Sequence, residues 1–210
     1  MDKKFELTDE TIVVDGRTLH RIKSLKNFND VKKGDLGGFI EKEQNLSHEG
    51  NCWIYDNARV FDNARVYGNA HVSDNTRIYG NARVSGNVSV SDNTRIYGNA
   101  RVCDNAHVYG NAWVHGGVNI YDNMRLCSGA NIESFNDICY ISLFGSRNEY
   151  TTFFRCKDSR IKVKCGCFTG TLDEFRNKVK ETHGDNQYAK EYLLAADLVE
   201  LRLNRKNEVE

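Results

Sequence analysis

The most regular feature of the chain is an aliphatic residue at every sixth position through its middle. A helix would repeat its apolar residues about every 3.6 positions, so this period is not helical. A mostly small residue stands two places before each aliphatic, and Asp-Asn or Gly-Asn follows most of them. Each hexad therefore predicts a very short strand, whose small and aliphatic side chains face inward, and a corner. The aliphatic positions are Ile54, Val60, Val66, Val72, Ile78, Val84, Val90, Ile96, Val102, Val108, Val114, Ile120, Leu126, Ile132 and Ile138.

The length of one coil follows from an internal identity. Residues Ser73–Val84 recur without change as Ser91–Val102, an offset of eighteen residues, so three hexads make one turn of the chain. Strands this short cannot bury an inner face alone and must stack on their neighbours. We therefore predict a triangular prism of about five coils, in which residues eighteen apart lie about 4.8 Å from each other.

These hexads resemble the hexapeptide-repeat left-handed β-helix (LpxA-like) superfamily, whose motif is an aliphatic residue followed four places later by a small one. The resemblance covers about residues 50–139 and implies a left-handed parallel β-helix. A right-handed coil is the alternative, because connections between parallel strands are right-handed as a rule. The resemblance also implies a homotrimer, which is the usual assembly of this superfamily.

Two flanking segments resemble uncharacterised hexapeptide-repeat proteins of phages and bacteria. Some of those proteins carry an acyltransferase label, and the resemblance implies no settled activity. The residues concerned are Gly34–Glu41 with Asn45–Ser47, and Gly166–Thr171 with Glu174, Phe175 and His183–Asp185.

The hexad rule fails on both sides of the middle segment, which predicts three parts and a mostly β protein. We expect residues 1–49 to form an N-terminal β cap, because an open prism end would expose unpaired strand edges. Residues 50–139 form the β-helix, and residues 140–210 form a C-terminal α+β cap. The glycine-rich run of the first part lacks the Gly-Lys-Ser or Gly-Lys-Thr ending of a phosphate-binding loop.

Within the C-terminal cap the pattern predicts at least two strands and two helices. The strands are expected at residues 150–155 and 160–168. Thr171 and Glu174 match a capping box and would begin the first helix. The second helix is predicted over residues 186–203, with one apolar face for a core or a subunit contact.

Composition excludes several classes of function. The chain has 29 basic and 29 acidic side chains, and this balance argues against bulk attraction to nucleic acid or an anionic membrane. No apolar run reaches the roughly 18 residues that a bilayer requires, and the first residues lack the order of a signal peptide. We therefore expect a cytoplasmic protein, in a bacterial host if a phage encodes it.

Cysteine and proline counts add two expectations. Seven cysteines at irregular spacings predict reduced thiols rather than a disulfide framework. Cys165 and Cys167 would place two thiols on one side of a strand, where small buried hydrophobic residues are the better interpretation than a metal site. Because the chain has no proline, we expect Asn and Gly to form its corners.

Three histidines of the repeat are candidates for catalysis. Related enzymes hold a catalytic histidine on an outer prism face, so His71, His107 or His115 could act as a base in acyl transfer from acetyl-CoA or another acyl-CoA. No loop interrupts the hexads to shape a substrate cleft, so no catalytic residue is favoured. A zinc hydratase would need a third imidazole where this chain has Ala112, and no metal site is expected.

Columns of stacked arginines are candidates for a binding site for anions, and the sequence supports them more strongly than it supports catalysis by the histidines. With an eighteen-residue coil, one column holds Arg59, Arg77 and Arg95 beside Tyr79 and Tyr97. Such groups could bind phosphates and nucleobases together. The favoured interpretation is nevertheless a solvated, self-compensated surface, because acidic residues at the corner just before each arginine could neutralise it. A second column holds Arg65, Arg83 and Arg101.

The C-terminal cap offers one further basic patch. Arg160, Lys162 and Lys164 alternate with apolar residues and predict three cations on one strand face. They could contact an acidic protein or nucleic-acid backbone, or they could simply be the solvated side of the strand.

The sequence therefore favours a non-enzymatic binding scaffold without a cofactor, presented as a rigid homotrimer. Its partner would be a host macromolecule or an anionic signalling nucleotide, and the resemblance to phage proteins suggests antagonism of host defence. The alternative is an acyl-CoA-dependent hexapeptide acyltransferase.

Overall fold

The middle of the chain winds into a three-faced β-solenoid of about five turns, as the hexad spacing predicts. The computed structural model describes residues 3–204. Its N-terminal strands are β1 (Phe5–Val14), β2 (Arg17–Ser24) and β3 (Leu36–Ile40). The two-residue strands of the solenoid are β4 (Trp53–Ile54), β5 (Arg59–Val60), β6 (Arg65–Val66), β7 (His71–Val72), β8 (Arg77–Ile78), β9 (Arg83–Val84), β10 (Ser89–Val90), β11 (Arg95–Ile96), β12 (Arg101–Val102), β13 (His107–Val108), β14 (Trp113–Val114), β15 (Asn119–Ile120), β16 (Arg125–Leu126) and β17 (Asn131–Ile132).

These short strands build three parallel sheets. We call them the first face (β5, β8, β11, β14, β17), the second face (β6, β9, β12, β15) and the third face (β4, β7, β10, β13, β16). Residues eighteen apart are direct partners: Arg59 pairs with Arg77, and Ile78 pairs with Ile96. The predicted columns of the sequence are therefore real columns of side chains. The left-handed sense of winding stays the expectation that the resemblance gives.

The inward-facing residues make one continuous apolar core. The aliphatic residues at the strand ends are fully buried, as Val60, Ile78 and Ile96 illustrate, and so are small residues such as Ala58 and Ala82. Burying one such aliphatic side chain stabilises the fold by about 1.5 to 3 kcal/mol. The repeat is thus held from inside by stacked aliphatic columns.

The corners differ in one respect from the expectation that Asn and Gly take the left-handed backbone conformation. In most corners the first residue does so, either Gly or an aspartate such as Asp56 (φ 51°) and Asp74 (φ 59°). Aspartate tolerates this region because its short side chain can bond nearby backbone. Here the Asp56 carboxylate accepts a hydrogen bond from the backbone N–H of Asp74, one coil further on. Asn follows in the second corner position.

The N-terminal cap extends the first face. Strands β1 and β2 form an antiparallel pair, β3 pairs antiparallel with β2, and β3 then pairs parallel with β5. The glycine run permits this contact, because a Cβ atom on Gly38 would lie 2.5 Å from the Ala58 carbonyl oxygen. At the open end, the buried Lys4 donates from Nζ to the carbonyl of Cys52 at 2.8 Å. Side chains therefore satisfy the backbone of the first coil.

The C-terminal cap is an antiparallel sheet covered by two helices. Its elements are β18 (Ile138–Phe144), β19 (Glu149–Arg155), β20 (Ile161–Cys165), β21 (Phe168–Thr171), α1 (Leu172–His183) and α2 (Gln187–Leu203). The single strand predicted over 160–168 is wrong, because Gly166 (φ 54°) turns the chain and divides it into β20 and β21. The capping box is confirmed: the Thr171 hydroxyl accepts from the N–H of Glu174. Phe154 and Cys156 reach into the core of the solenoid and close its end.

A candidate anion-binding face

The arginine column of the first face is formed as the sequence predicts. Arg59, Arg77 and Arg95 are successive partners on β5, β8 and β11, and each is half-buried. At the strand spacing of about 4.8 Å, like charges repel by roughly 1 kcal/mol even in water. Burial and the neighbouring Arg77 lower the pKa of Arg59 from its ordinary value. The column is therefore a concentrated line of positive charge.

The expected neutralisation of this column by corner aspartates is not found. No carboxylate among residues 3–204 forms an ion pair within 4.0 Å of Arg59, Arg77 or Arg95. The corner carboxylates instead accept hydrogen bonds from backbone N–H groups: Asp92 N donates to Asp74 Oδ2 at 3.2 Å. The carboxylates are oriented along the corner by these bonds. The arginines of the first face are thus without an ion-pair partner among residues 3–204.

An aromatic ladder runs beside the arginines. The ring of Tyr79 lies 5.1 Å from that of Phe61 and 4.9 Å from that of Tyr97, and the ring planes are within 3° of parallel. His115 forms the fourth rung, 4.8 Å from Tyr97. Burial raises the pKa of both tyrosines. Because the rungs stack on each other, no nucleobase can insert between them, and the predicted combined grip on phosphate and base loses its base-binding part.

Trp113 is the residue of this face that sequence reasoning missed. It occupies the arginine position of the next coil, where it pairs with Arg95. The guanidinium carbon of Arg95 lies 5.1 Å from the centre of the indole ring, within the range of a cation–π contact. The signal was present in the sequence, since Trp113 stands eighteen residues after Arg95.

The second-face column is more exposed. Arg65, Arg83 and Arg101 are successive partners, and no described carboxylate forms an ion pair with them within 4.0 Å. Arg65 and Arg83 line an open groove of about 860 Å³ against the segment 43–50. Glu43 and Glu49 also line this groove, so its charge is mixed.

The predicted cap patch is weaker than expected. Arg160 precedes β20 and is paired with Asp158, whose Oδ2 lies 2.8 Å from Arg160 Nε. Lys162 donates to the carbonyl oxygen of Ser128 at 3.1 Å. Lys164 lines a shallow groove of about 250 Å³ with Arg125. Two of the three cations are thus engaged within the chain.

The three candidate histidines do not form one site. His71 and His107 lie on the third face with Ser89 between them, as expected, whereas His115 belongs to the aromatic ladder of the first face. His71 stacks on Tyr55 at 4.0 Å. Partial burial, and then the nearby Arg125, lower the pKa of His107. Neutral His107 could accept a proton, but no second candidate histidine assists it.

Metal and thiol chemistry are not organised in the described part of the chain. Among residues 3–204 no three His, Cys, Asp or Glu side chains converge as metal ligands. Cys165 ends β20 and Cys167 follows the turn, so the two thiols do not share one strand. Cys165 packs against the cap core, but Cys167 is exposed, so its assignment as a buried residue is wrong. In the same range no helix has the length and apolar character needed to cross a membrane.

The stacked hexads and the eighteen-residue register define the class of fold: the middle of the chain is a β-solenoid built from six-residue repeats. Comparison with known families agrees, because the model of the YdcK β-solenoid repeat matches residues 58–74, 76–92 and 100–116. The uncharacterized acetyltransferase YdcK of Escherichia coli (strain K12) is 52% identical over 44 residues. That match covers 20% of this chain and 14% of the relative. It therefore supports a similarity in the repeat, and it does not extend to the activity of the whole relative.

Proposed function

We propose that this protein is a non-enzymatic binding scaffold whose first face binds an anionic partner. The observation that carries the proposal is the column of Arg59, Arg77 and Arg95, which has no ion-pair partner among the described residues. Arginine binds phosphate and carboxylate groups through paired hydrogen bonds, and the rigid coil presents its three side chains at a fixed spacing.

The solenoid supports such a role because its geometry is set before binding. Each arginine is anchored on a strand that pairs with a parallel strand on either side, which for Arg59 is β3 of the N-terminal cap and β8. A pre-organised site loses less entropy on binding than a flexible one. A homotrimer would present three such faces, and we retain it as part of the proposal.

The test removes the column and compares it with a matched change. Arg77→Ala combined with Arg95→Ala should weaken binding of inorganic tripolyphosphate, measured by titration calorimetry, by about a hundredfold or more, because two charge-assisted contacts are lost. Lys180→Ala combined with Lys190→Ala removes the same charge from the exposed sides of α1 and α2 and should leave the affinity within about threefold. Unchanged binding in the first variant would contradict the proposal.

A narrower role extends this proposal. The partner would be a host macromolecule or an anionic signalling nucleotide, and its sequestration would antagonise host defence. This extension rests on the resemblance of the flanking segments to phage and bacterial proteins. Its test is affinity purification from the native host, where recovery of no anionic partner would count against it.

Acetyl transfer is the second candidate function. The YdcK relative is named an uncharacterized acetyltransferase, and partial burial, followed by the Arg125 charge, lowers the pKa of His107, which favours the neutral imidazole that can accept a proton. Acetyl-CoA should then raise the melting temperature, and His107→Ala should abolish acetyl transfer while His71→Ala should not. Absence of any shift with acetyl-CoA, together with tripolyphosphate binding, would favour the scaffold.

A further inference from the structure

A lysine of the C-terminal cap ends the arginine column of the first face. Lys157 follows β19 and places its Nζ 3.8 Å from the centre of the Trp113 ring. Its backbone N–H donates to the carbonyl of Gly129 at 3.2 Å, and its Nζ donates to the carbonyl of Asn111 at 3.0 Å. Three contacts to the solenoid therefore fix this cap residue against the last coils.

The two cations beside Trp113, Arg95 and Lys157, are close enough to influence each other electrostatically. Arg95 and Lys157 each contact the indole ring, and the positive charge of Arg95 contributes to a lowered pKa of Lys157, after burial. No carboxylate among the described residues forms an ion pair with Lys157 within 4.0 Å. The fold therefore holds two like charges against one indole ring with no ion pair to either among the described residues, and a bound anion would relieve their repulsion.

The aromatic rings around this row leave no place for a base. The rungs of the ladder from Phe61 to His115 face one another at 4.8 to 5.1 Å, and the Trp113 ring is in contact with two cations. A planar base needs an open ring face to stack on, as proteins that bind single strands provide. This surface therefore presents a line of positive charge but few open ring faces on which a base could stack.

We propose that Lys157 and Trp113 complete the anion site of the first face, and that its ligand is a linear polyphosphate group recognised without its base. This inference rests on the proposed function and deepens it. The row from Arg59 to Lys157 crosses three coil steps, or about 15 Å, which suits an extended chain of phosphates. Both the free inorganic chain and the phosphate chain of a nucleotide have this chemistry. Binding would also tie the cap to the solenoid.

The test measures affinity for inorganic tripolyphosphate, ATP, GTP and adenosine in the presence of EDTA. Tripolyphosphate and both nucleotides should bind within about threefold of each other, and adenosine should not bind. Lys157→Gln should weaken tripolyphosphate binding by about tenfold, because one charged contact is lost, and Lys157→Arg should restore most of it. Lys190→Gln removes the same charge from α2 and should change nothing.

Tryptophan fluorescence gives a local readout. The chain has two tryptophans, and Trp53 is buried in the core, so Trp53→Phe leaves Trp113 as the single reporter. Tripolyphosphate should change its emission, and Lys157→Gln should reduce that change at equal ligand concentration.

The outcomes separate the two proposals. Tripolyphosphate binding that is unchanged in Lys157→Gln would overturn the role of the cap and leave the arginine column intact. A tenfold preference for one nucleotide over the other, or binding of ATP but not of tripolyphosphate, would overturn recognition without the base. Failure of every anion to bind would overturn the proposed function itself.

Discussion

The side chain of Asn69 donates a hydrogen bond from Nδ2 to Oδ1 of Asn87, one coil further along, at 3.0 Å. Asn87 in turn donates to Asn105 at 3.2 Å, so the three amides form a ladder along one edge of the solenoid. The central amide, Asn87, accepts from the coil before it and donates to the coil after it, so both bonds run in the same direction. The corner is thereby fixed between coils as well as within them.

Loss of one rung should measurably destabilise the fold. Asn87→Ala removes two side-chain hydrogen bonds, each of which contributes about 0.5 to 1.5 kcal/mol, so the free energy of unfolding should fall by about 1 to 3 kcal/mol. Asn93 occupies the same hexad position at another corner and makes no side-chain hydrogen bond to the described residues. Asn93→Ala should therefore cost less than about 0.5 kcal/mol in the same urea titration. Equal losses in the two variants would contradict the ladder's role.

The contact between β3 and the first coil should not tolerate a methyl group at Gly38. A Cβ atom there would lie 2.5 Å from both the Ala58 carbonyl oxygen and Ile54 Cγ2. Gly38→Ala should lower the free energy of unfolding by about 1 to 3 kcal/mol through overpacking. The control is Gly117→Ala, since no atom lies within 4 Å of the corresponding Cβ position. Thermal unfolding that is unchanged in Gly38→Ala would refute this packing argument.

Stability should depend on His107 at acid pH. Partial burial and the Arg125 cation lower the pKa of His107 in the folded protein below its ordinary value of 6.5. The unfolded chain therefore binds the proton more readily, so stability present at neutral pH is lost as the pH falls below about 6.5. Relative to wild type, His107→Gln should lose less stability between pH 7 and 5, by under about 1 kcal/mol because the ring is partly solvated.

Proton NMR provides a direct check of the cause. The ring signal of His107, assigned by its loss in His107→Gln, should titrate below the ordinary histidine range. Arg125→Gln should raise that midpoint partway, because burial is the larger contribution and remains. A midpoint that does not move in Arg125→Gln would show that the guanidinium has no influence on the imidazole.

One thiol should react much faster than the others. Cys167 is exposed, whereas burial raises the pKa of Cys156 and of Cys103 to about 11. The thiolate is the nucleophile, so at pH 8 a disulfide reagent should label one thiol of the native protein rapidly. Cys167→Ser should remove that fast phase, and Cys103→Ser should retain it. Persistence of the fast phase in Cys167→Ser would assign it to another cysteine.

The coil geometry could be predicted from the sequence because it depends on local chemistry that repeats. The residue types within each hexad indicate which side chains face inward and where the corner lies. The identity of two stretches at an offset of eighteen residues gives the number of hexads per turn. The columns of Arg59, Arg77 and Arg95, and of Phe61, Tyr79 and Tyr97, follow from that number alone.

The parts that could not be predicted depend on contacts between segments far apart in the chain. Nothing in the periodicity says that β3 joins the first face, or that a lysine after β19 lies against Trp113. The role of the corner aspartates was missed for a related reason. Charge counting treats Asp74 as a partner for arginine, whereas the left-handed corner turns its carboxylate toward backbone N–H groups.

Because the identical stretches Ser73–Val84 and Ser91–Val102 lie one turn apart, gain or loss of eighteen residues between them would change the height of this molecule by one whole turn. Recombination between the two gene segments that encode them would excise or duplicate one whole turn and keep every later residue in frame with its vertical neighbours. Each such event would shorten or lengthen the line of guanidinium groups by one, so a lineage could adjust the reach of the surface without redesigning either end.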